Sequence, residues 1–283
     1  MTLGIRITFL VGAAAALAGC DQQSDVDRAM RNINVVDETN MNDIMLTVAD
    51  PNEAVAYFQR ATAEQPDRID LQRGLAASLV RAGRATEAVI AWERVTSNPE
   101  ATDQDRIDHA GALIRDSQWD EAEVMLDSVP PTVETFDRYR YEAMVADANE
   151  EWTRADSFYE IALGLTTTPA GILNNWGFSK LTRGDFEGAE RLFTEAITYN
   201  PDLFTAKNNL VLARASRGNY NLPLVPMTQV ERAELLHTAA LAAIRRGDVD
   251  VGRGLLAEAI DTHPQHFEAA VRALRALDAD VVN

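Results

Sequence analysis

The chain has 283 residues, 46% of them apolar, with 26 basic and 44 acidic side chains and a formal net charge of -18. That length allows one or two globular domains, or a single array that grows by repetition and need not split. A surface that binds phosphate needs clustered Lys and Arg, so the charge excludes nucleic acid as an expected partner. The acidity reads either as a solvated, self-repelling surface or as attraction to basic segments of a partner.

The first twenty residues, MTLGIRITFLVGAAAALAGC, place an amino terminus and Arg6 ahead of an apolar run from Ile7 to Leu17 and then small residues. Residues 1–19 read as a secretory signal, too short to span a bilayer as a helix. Leu17-Ala18-Gly19-Cys20 resembles a bacterial lipobox, which implies cleavage before Cys20 and lipid attachment to it, as in a lipoprotein. Cys20 is the one cysteine of the chain, so no internal disulfide can form. Residues 20–34 are polar and acidic and read as a tether. With no second long apolar stretch, lipid would be the membrane attachment, and more than one acyl chain makes it durable. The expected location is the bacterial envelope, facing the periplasm. The outer membrane is the expected leaflet, but Asp21 resembles an inner-membrane retention signal of enterobacterial lipoproteins and leaves the inner one open.

From residue 35 to 218 the sequence repeats. Ala54, Ala88, Ala122, Ala155 and Ala189 follow one another at steps of 34, 34, 33 and 34, and Phe58, Trp92, Leu126, Tyr159 and Phe193 each stand four residues later. Ahead of the later anchors, Leu75-Ala76, His109-Ala110, Glu142-Ala143 and Trp176-Gly177, with Leu210-Val211 one period further on, mark the inward face of a preceding helix. Gly83, Gly184, Gly218 and Gly247 fall where that first helix must end left-handed. Proline near residues 66, 99, 130, 131, 169, 201 and 264 closes the second helices, because it cannot donate the next backbone hydrogen bond. Arg183-Gly184-Asp185 and Arg246-Gly247-Asp248 are thereby turn chemistry and not adhesion tags, glycine ending one helix and aspartate able to cap the next.

One period beyond Ala189 the anchor position holds Pro223, within GNYNLPLVPMTQVERAEL. Prolines at 223 and 226 forbid a helix there, so 219–228 is expected to be irregular, either a harmless insertion or a hinge or docking loop. Thr228-x-x-Glu231 is a capping box that starts a helix at Gln229, running to about Arg246. Residues 229–283 then supply a last repeat and a closing helix.

Chemistry is sparse. His263, His266 and Glu268 are the one grouping with metal-like composition, but Pro264 breaks the helix that would align the histidines, so they read as an inter-repeat turn. A metal-dependent hydrolase is the remote alternative. Gly-x-Ser-x-Gly, His-Glu-x-x-His and phosphate-loop patterns do not occur, and neither catalysis nor a cofactor is expected.

The register of small and bulky residues resembles the tetratricopeptide repeat over about four fifths of the chain. The resemblance implies an all-α helix-turn-helix solenoid, a right-handed superhelix of about six to seven repeats. It also implies a concave face of first helices that holds a partner segment. The positions of that face are Asn174, Asn175, Asn208 and Asn209, one period apart, with Phe178, Lys207 and Arg140 adding apolar contact and positive charge. Part of the asparagine signal coincides with the family's own preference, so binding and structural roles both stand. NVVDETNMNDIMLTVADPNEAV, LTTTPAGILNNWGFSKLTRGDF and LLHTAALAAIRRGDVDVGRGLLAEAIDTHPQHFEAA are similar to TadD-type lipoproteins of tight-adherence (Flp) pilus systems. That similarity implies a non-enzymatic part in assembling or localising a pilus secretion apparatus, with its secretin among the possible partners. A general envelope scaffold, recruiting peptidoglycan hydrolases or outer-membrane assembly components, is the alternative.

Overall fold

A computed structural model describes residues 41–281. The signal, Cys20 and the tether lie outside the described residues. Among the described residues the structure is helical throughout, with no strand: α1 at residues 41–47, α2 Pro51–Glu64, α3 Ile69–Arg81, α4 Ala85–Thr96, α5 Asp103–Arg115, α6 Trp119–Asp127 and α7 Phe136–Ala148. The chain continues through α8 Trp152–Gly164, α9 Ala170–Thr182, α10 Phe186–Tyr199, α11 Phe204–Ser216, α12 Gln229–Arg246, α13 Val249–Thr262 and α14 Glu268–Val281.

The chain divides into two compact units, residues up to Asp105 and residues from Arg106. In the first, α2, α3 and α4 pack around buried Ala54, Phe58, Leu71, Ala76, Ala88 and Trp92. Arg81 donates to the carbonyls of Met45 and Ala49, both at 2.9 Å, and so holds the start of the described chain against α3. Arg73 meets both carboxylate oxygens of Asp105 at 2.7 Å. Burial opposes the Asp105 charge, but the Arg73 and Thr102 hydrogen bonds outweigh it and hold this carboxyl below its ordinary range.

The second unit repeats one building block. Every anchor and bulky partner there is buried: Ala122 with Leu126, Ala155 with Tyr159, Ala189 with Phe193. Gly177 shows why the first helices need a small residue, since a β-carbon on it would lie 2.7 Å from the Phe193 ring.

Across both units, six intra-pair turns share one conformation. Gly83, Ser117, Glu150, Gly184, Gly218 and Gly247 all have positive φ, and the residue after each donates its N–H to the carbonyl five residues back, as Arg84 does to Leu79 and Asp185 to Lys180. These are Schellman ends, which satisfy carbonyls the helix leaves free. Glycine marks four of them; Ser117 and Glu150 adopt φ of 61° and 59° without glycine's freedom, because the same packed register requires it.

The aspartates after these turns differ. Asp185 caps α10 by accepting from the Gly188 N–H at 2.9 Å. Asp248 makes no cap bond; its carboxylate takes the hydroxyl of Tyr220 and the Arg246 guanidinium instead.

Residues 219–228 form no helix, and the capping box starts α12 at Gln229, with Thr228 and Glu231 bonding each other's backbone N–H. The segment lies inside the second unit and is packed. Leu222 sits against the core at Leu235 and Leu256, and Val225 against that of Phe193 and Leu210.

Candidate functional site

First helices of the second unit build one concave pocket of about 490 Å³. Asn174, Asn175, Phe178, Ser179 and Thr182 recur at three- and four-residue spacing on α9, which puts them on one stripe. α7 contributes Met144, Asp147 and Ala148, α11 contributes Thr205 and Asn209, and Trp119, Trp152 and Tyr159 come from the second helices. Phe178 is 52% exposed, an apolar ring presented at the pocket and not withdrawn into the core.

The asparagines are linked across helices. Asn209 donates its amide to Asn174 Oδ1 at 3.1 Å. Asn208 does not face this pocket; its Oδ1 accepts from Thr238 Oγ1 of α12 at 2.7 Å. Of the seven groove positions expected from the sequence, Asn174, Asn175, Phe178 and Asn209 come together, and Arg140, Lys207 and Asn208 do not.

Lys207 needs correcting most. It is 1% exposed, and its amine donates to Pro226 O at 3.1 Å and to Glu231 Oε1 at 2.9 Å. One period earlier stands Leu173, fully buried, so the offset itself puts residue 207 on the core face. Its charge is spent inside the molecule, holding the proline segment to the start of α12. Arg140 pairs with Asp137 at 2.6 Å and lies 4.3 Å from the Tyr141 ring centroid, away from the pocket lining.

Two carboxylates support the pocket in opposite ways. Asp147, in its wall, accepts the Tyr159 hydroxyl at 2.7 Å and the Ser179 hydroxyl at 2.6 Å. Burial pushes its carboxyl above the ordinary range despite those two bonds, and the same burial raises the Tyr159 phenol. Asp156, behind the wall, takes Trp176 Nε1 at 2.6 Å, Lys180 Nζ at 2.9 Å and Arg183 at 2.6 Å. Burial works against that charge too, but these bonds win and lower the carboxyl. Trp176 stacks on Tyr159 with centroids 6.1 Å apart, which fixes α9 on α8.

Much of this lining went unread in the sequence although the period could have found it. Thirty-four residues before Phe178 and Thr182 stand Met144 and Ala148. Trp119 and Trp152 both stand two residues after a left-handed turn. Asp147 carries no such signal.

The histidine grouping does not assemble. His266 Nε2 meets Glu268 at 2.8 Å, but the His263 ring stacks on Phe267 at 4.9 Å and its Nδ1 accepts from the Gln265 N–H at 3.1 Å. Among the described residues no group of three or more His, Cys, Asp or Glu is arranged to hold a metal ion. Among them, too, no helix is long and apolar enough to cross a membrane.

The model of the tetratricopeptide repeat matches residues 46–101 and 175–221. Among solved structures, a tetratricopeptide repeat protein from Parabacteroides merdae is similar over 90% of this chain and 99% of its own, with 13% identity and a TM-score of 0.54. The human IFIT1 dimer with m7Gppp-AAAA is similar over 82% of this chain and 59% of its own, with 14% identity and a TM-score of 0.58. The APC/C hetero-tetramer Cut9-Hcn1 aligns over 81% of this chain at 13% identity and a TM-score of 0.56, and there the chain spans less than half of its relative, 46%. No curated protein matches the chain. Repeat register, left-handed turns, the two stretches matched by the family model and the structural neighbours agree that the chain has the all-helical solenoid fold of tetratricopeptide-repeat proteins.

Proposed function

We propose that the chain is a non-enzymatic protein–protein interaction scaffold that takes a partner segment into the pocket between α7, α9 and α11. One observation carries this: the half-exposed Phe178 ring and Asn175 line the same preformed, largely apolar concavity. An aromatic anchor beside an amide that both donates and accepts suits a peptide that offers an apolar side chain and its own backbone. Asp147 is the one charged group in the lining, so the preferred segment is apolar with a basic residue and not anionic. The tetratricopeptide fold, whose members serve as such scaffolds, supports the coarse reading.

The finer reading rests on sequence. The lipobox at Leu17–Cys20 supports a lipid anchor in a bacterial envelope, and the similarity to TadD-type lipoproteins supports a part in assembling or localising a tight-adherence (Flp) pilus secretion apparatus. A general envelope scaffold is the other outcome. The test is an in-envelope crosslinking pull-down with the full chain, in wild type and with Phe178→Ala plus Asn175→Ala. Recovery of pilus secretion components, lost in the double variant while its melting temperature holds, is the expected result. Equal recovery by both would remove the pocket from binding, and recovery of hydrolases or barrel-assembly proteins alone would remove the pilus. Cys20→Ser is expected to release the protein from membranes; retention after a high-salt wash would overturn the anchor.

A further inference from the structure

A helix is missing from the second unit, and its place is partly open. Left-handed turns follow one another at 34, 33, 34 and 34 residues up to Gly218, but Gly247 comes only 29 later. In that shortened interval α11 has no second helix of its own, and residues 219–228 run in its stead. A second helix packs against the first helices on either side and against the second helices before and after it. Here those four neighbours are α11, α12, α10 and α13. All four line a single open cavity of about 840 Å³: α10 with Thr194, Ile197 and Thr198, α11 with Leu210 and Arg214, α12 with Arg232 and Leu236, α13 with Leu255 and Glu258.

The strap covers only the floor. An extended chain occupies about 5 Å in width, against about 10 Å for a helix with its side chains. Leu222 and Val225 close the core beneath, which leaves the upper walls free: Thr194 and Thr198 are exposed, and Leu224 is fully exposed at the cavity. Among the described residues the backbone N–H groups of Leu222, Leu224 and Val225 donate to no protein acceptor, so the strap is held by its side chains and by Lys207, not by a ladder.

We propose that this slot docks one amphipathic helix of a partner protein, seated where the second helix of the α11 repeat would lie. The pattern elsewhere says what such a helix carries. Regular second helices turn a small residue, a large apolar one four later and another small one or a valine three after that onto the equivalent neighbours, as Ala155, Tyr159 and Ala162, Ala189, Phe193 and Ala196, or Ala88, Trp92 and Val95 do, all buried. A partner helix with this stripe would place its large residue against Leu224 and its small ones against the Thr194–Thr198 face. The site is distinct from the pocket of α7, α9 and α11.

The probe is a lactam-bridged helical peptide with the sequence of residues 186–199, titrated onto the full chain. Saturable binding in the range of roughly 10–100 µM is expected. A photo-crosslinker at position 224 should capture the peptide. Leu224→Asp and Thr194→Trp, both at exposed positions and checked for unchanged melting, should each weaken binding about tenfold or more, equivalent to about 1.4 kcal/mol. Phe178→Ala should leave it unchanged. Absence of saturable binding, indifference to both slot variants, loss with Phe178→Ala, or equal binding of an unbridged proline-substituted peptide would each overturn the proposal. So would self-association of the chain abolished by Leu224→Asp, which would make the occupant a second copy.

Discussion

Asn209 of α11 donates its side-chain amide to Asn174 of α9, 35 residues earlier, at 3.1 Å. The bond makes these two residues part of the stack as well as part of the pocket, while Asn175 beside them keeps its amide at the concavity.

Replacing Asn209 by alanine should therefore cost stability. The lost hydrogen bond and the half-buried oxygen left on Asn174 together amount to about 1–2 kcal/mol. Asn175→Ala should cost little stability and act on partner binding instead. Thermal unfolding of both variants, paired with affinity for the partner recovered by crosslinking, separates the roles; equal destabilisation by the two would contradict the division.

Ser117 and Glu150 hold a backbone conformation that glycine adopts freely at the other turns. Ser117→Gly and Glu150→Gly should each stabilise the fold by up to about 1 kcal/mol, the strain relieved being offset in part by the greater freedom of the unfolded glycine chain. Gly184→Ala should destabilise by about the same amount. Denaturant midpoints at constant slope measure all three, and a Glu150→Gly chain no more stable than wild type would show the turn to be unstrained.

Lys207 decides whether 219–228 behaves as a hinge. Its amine holds Pro226 O and Glu231, and Glu231 is in turn held low by the Thr228 N–H and by Lys207. Wild-type protein should resist proteolysis between Tyr220 and Met227 as well as it does at the Gly83 and Gly184 turns, despite the absent helix. Lys207→Ala should lose roughly 1–3 kcal/mol, less than a fully buried pair because Glu231 reaches solvent, and should open the strap to cleavage. Rapid nicking of the wild type there would mean the clamp does not hold.

His237 packs on the Phe267 ring at 5.3 Å, and His263 stacks on the same ring, so Phe267 joins α14 to the helices before it. Burial disfavours the His237 cation and lowers its proton affinity below the ordinary value of 6.5. The unfolded chain then binds the extra proton first. His237 thus contributes stability that is present above pH 6.5 and is lost as pH falls below it. His237→Leu should flatten the fall in melting temperature between neutral pH and the onset of carboxylate titration. An unchanged slope would assign that fall to other groups.

The architecture was legible because a solenoid repeats its own constraints. Each anchor alanine must let two helices approach, each turn must end a helix left-handed, and both demands recur every 34 residues or so. That periodicity alone determined the helix pairs, the break at Pro223 and Pro226, and the start of α12 at Gln229, where Thr228 and Glu231 satisfy local backbone groups. What only the tertiary structure decided is which side chains spend their polarity internally. Lys207 and Asn208 adjoin Asn209 in sequence, yet a helix turns neighbouring residues about 100° apart, so one reaches the strap, one reaches Thr238 and one reaches Asn174. Asp147 enters the pocket wall because Tyr159 and Ser179, 12 and 32 residues away, converge on it. The open slot beside the strap exists only because four successive helices, α10 to α13, still pack around the place of a fifth. Local chemistry sets where a helix begins and ends, but contacts between helices decide which faces are left for a partner.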